Sequence, residues 1–195
     1  MGRILPLVLA SSCAAGAMVK AEPVRNSEPV ALAWISGANG ASGFSQKSVT
    51  AWARLSGRPV KIASVSTTRK TWQTVTGLTW AEGSYRDPSL TLDIAQPMWP
   101  ETVAGSLAAC AGGEYDENWK NWGRTLLRVR NPVITRLGWE FNGDWWPWSA
   151  KDPESYKSCF RRIVAAVRST APAAVFEWSA NGSRSQTCGG NSLSC

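Results

Sequence analysis

Five apolar runs of strand length recur along this chain, and segments with helical signals separate each run from the next. That alternation is the strongest constraint on the fold. Parallel strands need a long crossover between them, and helices are what usually supply it. The expected strands are Val30–Ser36, Val60–Ser66, Leu90–Met98, a segment beginning at Pro132, and Ala174–Ala180. Val30–Ser36 is nearly continuous in apolar residues, as a strand covered on both faces should be.

The helical signals are local. A first helix spans Gln46–Ser56, with Ser45 as cap and Gly57 as terminator. Trp72–Asp87 has room for a short helix, although Trp72 and Trp80 recur without a clear period. The next helix has Asp116 as its cap, and Trp119, Trp122, Leu126 and Val129 share one face, so these tryptophans read as core. The last opens with Asp152-Pro153-Glu154, a capping Asp before a first-turn Pro. Its buried stripe is Tyr156, Phe160, Ile163, Val164 and Val167, and Ala171-Pro172 ends it. The fold class is therefore α/β, with its elements in the order a parallel barrel requires.

One strand carries chemistry at its end. Pro132–Trp148 reads PVITRLGWEFNGDWWPW. As a strand, Val133, Thr135, Leu137 and Trp139 share one face, while Ile134, Arg136, Gly138 and Glu140 share the other. Glu140 is then the last strand residue before a loop that starts Asn142-Gly143 and continues with Asp144, Trp145, Trp146, Pro147 and Trp148. A strand-end Glu is ordinarily a surface salt-bridge partner. Three tryptophans within four residues of a loop are hard to bury together, however, and a protonatable carboxyl beside flat aromatic surfaces is what glycoside hydrolysis needs. In a barrel, the C-terminal end of a strand is where active sites lie.

The stretch Arg-Leu-Gly-Trp-Glu-Phe-Asn-Gly-x-Trp-Trp-Pro-Trp resembles the acid/base motif of glycoside hydrolase family 26, largely β-mannanases, and weaker resemblance runs from about Val30 to Gly182. The resemblance implies a (β/α)8 TIM barrel of the retaining clan A, with Glu140 as general acid/base. Asn142, Gly143 and Trp145 or Trp146 fall on the motif, and Trp145, Trp146 and Trp148 become sugar platforms. Trp139 stands where the usual member has His. The implied substrate is a β-linked polysaccharide, with endo-β-1,4-mannan hydrolysis by a retaining mechanism as the first expectation. A β-glucanase of the same clan differs only in pocket details.

Length bears on that expectation. A complete barrel of this kind takes about 250 residues and about 200 at the least, against 195 here. About the first five β/α units can be counted. Retention needs a second carboxylate as nucleophile, which the resemblance puts at the end of strand seven, beyond the 55 residues that follow Glu140. Asp144, Asp152, Glu154 and Glu177 are the later acids, and none stands at a nucleophile position by that pattern. Glu177 lies four residues before Asn181 as Arg136 lies four before Glu140, which suggests a buried Arg136–Glu177 pair. The expected product is thus an incomplete barrel over 22–195, truncated or inactive toward mannan and prone to associate through its open edges. The competing reading is a non-catalytic carbohydrate-binding relic that keeps the tryptophans without the chemistry.

The N-terminus and the composition supply the rest. Residues 1–21 read as a signal peptide: a short basic start, an apolar run Ile4–Val19, and Val19-Lys20-Ala21 before the cut. The apolar run is too short for a secure membrane span, so a secreted or periplasmic protein is expected, with no membrane association after cleavage. Loss of Arg3 and Lys20, two bases, takes the net charge from +7 to +5. The remaining bases are scattered, with no nucleic-acid module. There is no His and no Cys-x-x-Cys pair, so neither a metal nor another cofactor is expected. Without Cys13, the four cysteines Cys110, Cys159, Cys188 and Cys195 allow three disulfide connectivities. Cys188 and Cys195 flank a short loop, and Cys159, in a helical stripe, fits a free buried thiol equally well.

Overall fold

The computed structural model describes residues 35–39 and 45–182. The expected signal peptide, most of the expected first strand, Cys188 and Cys195 lie outside the described residues. Eleven elements follow in order: β1 (Ser36–Asn39), α1 (Gln46–Ser56), β2 (Val60–Ser66), α2 (Trp72–Thr76), α3 (Thr79–Ser84), β3 (Thr91–Gln96), α4 (Leu107–Gly112), α5 (Asp116–Leu126), β4 (Val133–Leu137), α6 (Pro153–Arg168) and β5 (Val175–Glu177). The strands form one parallel sheet in the order β1-β2-β3-β4-β5. A sheet whose strand order follows the sequence without reversal has the winding of a barrel wall, unlike the doubly wound order, which reverses partway. Among the described residues no helix is long and apolar enough to cross a membrane.

The core explains why the helices dock where they do. Ala63 and Val65 of β2, Leu92 and Ile94 of β3 and Leu137 of β4 alternate onto one face and pack with Trp119, Trp122, Ile163 and Val167. The α5 tryptophans are core, as their spacing suggests, and Trp122 Nε1 donates to the buried Thr135 hydroxyl at 3.0 Å. Cys110 of α4 and Cys159 of α6 form a disulfide with Cα atoms 5.0 Å apart, which selects one pairing and rules out the free thiol.

Several element boundaries depart from the sequence reading. Of the described part of the expected Val30–Ser36, Ser36 opens β1 and Ile35 lies outside it, and β5 keeps only the middle of Ala174–Ala180. Strand limits are set by pairing with the neighbour, and β5 pairs with β4 only over Val175–Glu177. Trp72–Asp87 holds two short helices. Thr71 and Thr74 form a reciprocal capping box at the first, and Gly77 separates it from the second. α4 is unanticipated, although Ser106 caps it and Gly113 ends it in the left-handed conformation. Asp116 is the first helical residue of α5 and not its cap, because its carboxylate is taken by a bidentate pair with Arg162 on α6.

On the sheet face away from that core, Arg136 stands opposite Glu177 in register, yet its ion pair is with Asp93 at 3.5 Å and its hydrogen bond is to Ser64 Oγ at 2.7 Å. Glu177 titrates above the usual carboxylate range, because burial and the Asp93 charge outweigh the attraction of Arg136.

Two outcomes follow. Replacing both Cys110 and Cys159 by Ala is expected to cost about 4 kcal/mol, from the loop entropy of a sequence separation of 49. Thermal melts of oxidised parent and double variant measure it, and equal midpoints would contradict it. For Glu177, a raised folded-state value means that the native state binds more protons than the unfolded chain, so its contribution to stability falls as pH rises through its titration. Glu177→Gln is expected to remove that fall and to match or exceed the parent at neutral pH. Melts from about pH 4 to about pH 8 check the sign.

Candidate active site

β4 ends at Leu137, and the chain then turns sharply. Gly138 takes a φ of +55°, and a Cβ there would lie 2.8 Å from Met98 Cε and 2.9 Å from Tyr156 Oη. Only glycine fits that space without displacing the α6 tyrosine, whose hydroxyl donates to Gly138 O at 2.9 Å. Burial holds the Tyr156 phenol in its neutral, donating form by raising its titration well above the usual range.

Glu140 therefore does not end the strand as its sequence position suggests. It lies three residues beyond, in the turn, with φ of +53°. For a residue with a side chain this region costs roughly 1–2 kcal/mol, and such strain persists only where the surroundings impose it. Here they do. Glu140 N donates to Ser179 O at 2.8 Å, and Gly143 N donates to Glu140 O at 2.9 Å. Asn142, 0% exposed, clamps the same junction: its amide donates to Asn181 O at 3.0 Å, and its carbonyl accepts from Asn181 N at 2.7 Å. The segments after β4 and β5 are thereby joined, and Glu140 stays at the C-terminal end of the sheet.

The tryptophans separate into distinct roles. Trp145 and Trp146 both donate their indole N–H to Glu140 Oε2, at 2.9 and 3.0 Å. Both bonds end on one oxygen, and among the described residues none ends on Oε1. Trp145 is 50% exposed, and its ring lies over Gly143, where a Cβ would come within 2.4 Å. Trp146 is half-buried. Trp148 is 1% exposed, stacked on Trp146 with centroids 5.0 Å apart, and donates to Trp139 O at 3.0 Å. Trp148 thus backs the loop from inside and presents no open face. Trp139 packs against Trp146 and Trp148 at 5.1 and 4.8 Å, so at this position the motif holds an apolar ring.

Sequence reasoning missed three contributors. Ser179 and Asn181 act through backbone groups, which carry no residue signature. Arg69, from the loop after β2, lies with its guanidinium carbon 4.9 Å from the Trp146 centroid. Asp144 is exposed at the loop tip. Among the described residues no group of three His, Cys, Asp or Glu could hold a metal ion.

The arrangement can orient one carboxyl group through a single oxygen and offer an indole face beside it. No curated protein matches the chain. Residues 116–188, from the start of α5 through the Glu140 turn and past β5, match the family model of glycosyl hydrolase family 26.

Proposed function

We propose that this site is the acid/base and sugar-platform part of a retaining glycosidase of the β-mannanase type, acting on β-1,4-linked mannan. The family match supports a glycoside hydrolase. The observation that carries the finer reading is the pair of indole bonds to a single oxygen of a strained Glu140. A general acid must present one oxygen to the glycosidic oxygen at about 2.6–3.2 Å, and a carboxyl pinned through Oε2 presents Oε1 reproducibly. Trp145 provides the open stacking face. Asn142 and Trp148, both buried, serve by holding the loop in shape.

The retaining route also needs a second carboxylate about 5–5.5 Å from the first. The half-exposed Trp145 ring supports keeping a binding reading beside the catalytic one: the site takes up a β-linked oligosaccharide whether or not the chain hydrolyses it. Export to a secreted or periplasmic location is supported by the Cys110–Cys159 disulfide, since such bonds persist in oxidising compartments.

Titrating the pure chain with mannohexaose while following tryptophan fluorescence tests the reading. Saturable binding is expected. Trp145→Ala should weaken it by on the order of 1 kcal/mol for one lost aromatic stack, about fivefold in Kd. Gly143→Ala should do the same without removing the indole, because the new methyl displaces the Trp145 ring. Absence of saturation, or binding indifferent to both substitutions, would contradict the assignment.

A further inference from the structure

Trp146 packs against three side chains. Trp148 stacks on it with planes 9° from parallel, Trp139 meets it at 65°, and Arg69 lies over its ring. Its N–H is already committed to Glu140. Arg69 is itself fixed: its Nε donates to Glu101 Oε1 at 2.8 Å, Glu101 N donates to Arg69 O at 2.8 Å, and Thr102 Oγ1 donates to Lys70 O at 2.7 Å. The loop after β2 is thus fastened to the loop after β3, and from there its guanidinium reaches the loop after β4.

We propose that Arg69 is a positioning residue of the site, clamping Trp146 so that its N–H meets Glu140 Oε2 and so that its ring is withheld from a sugar. A planar guanidinium suits this task because it can lie flat on an indole while its edge pairs with a carboxylate. The consequence is a division between two adjacent indoles that both bond Glu140. Trp146 orients the carboxyl group, and Trp145, half-exposed over Gly143, takes the sugar. Only that last clause rests on the proposed function; the clamp rests on the contacts alone. It also makes substrate access depend on a residue far from the motif. A chain with the same Trp-Trp pair and no arginine above it would have two platforms where this one has one.

Hydrogen exchange at the indole N–H groups of the full chain, read by nitrogen-15 NMR, tests the clamp. Trp122, whose N–H is buried against Thr135 and which makes no contact with Arg69 among those described, serves as internal control. In Arg69→Gln the Trp146 indole should exchange about tenfold faster while Trp122 is unchanged, a local opening and not a general loosening. Arg69→Lys keeps the charge but loses the planar guanidinium, and should fall between; it also serves as the test if the Gln variant does not fold. Unchanged Trp146 exchange, or acceleration of Trp122 along with it, would overturn the proposal. Added mannohexaose should shift the Trp145 indole signal in the parent, and both Trp145 and Trp146 in Arg69→Gln. A direct shift at Trp146 in the parent would overturn the withheld platform. If mannohexaose shifts neither indole, the mannan reading fails while the exchange rates still decide the clamp.

Discussion

Two indole N–H groups, from Trp145 and Trp146, converge on Oε2 of Glu140 at 2.9 and 3.0 Å. Indole is a donor without an acceptor, so neither bond can reverse its direction. Reaching this geometry requires the backbone at Glu140 to enter the left-handed region, and the rest of the local structure serves that requirement. Gly138 turns the chain where no larger residue fits, Tyr156 anchors the turn from α6, and Asn142 ties it to Asn181 beyond β5.

The sheet beneath is built for a different balance. Its helix-covered face is mainly apolar, whereas the opposite face brings Ser64, Asp93, Arg136 and Glu177 together. Asp93 Oδ1 and Arg136 Nε are buried without hydrogen-bond partners among the described residues. Each such atom costs about 1–3 kcal/mol when left unsatisfied, so this cluster is a poor source of stability. The disulfide between α4 and α6 lies on the other side, within the core that carries the fold.

Much of this was legible in the sequence because the signals were local. β2 falls where its apolar run says, Gly57 ends α1 in the left-handed conformation, and Asp152-Pro153 opens α6 as the capping pattern implies. Glu140 and the aromatic loop stood out for the same reason, since five functional candidates lay within nine residues. What the sequence hid was set by distant partners. Strand-period reasoning could not foresee that β4 stops at Leu137, because Gly138 turns under Met98 and Tyr156. Arg136 was expected to pair with Glu177, but the diagonal across β3 brought Asp93 within reach instead. The three loop tryptophans looked alike in sequence. Burial alone separates Trp148, which fills space, from Trp145, which does not.

The most direct test is a crystal structure of the full chain with mannohexaose bound. The account predicts a sugar ring stacked on the open face of Trp145, a glycosidic oxygen within about 3.2 Å of Glu140 Oε1, and both indole bonds to Oε2 retained. Sugar bound elsewhere on the sheet, or a Glu140 carboxyl released from both indoles, would contradict it.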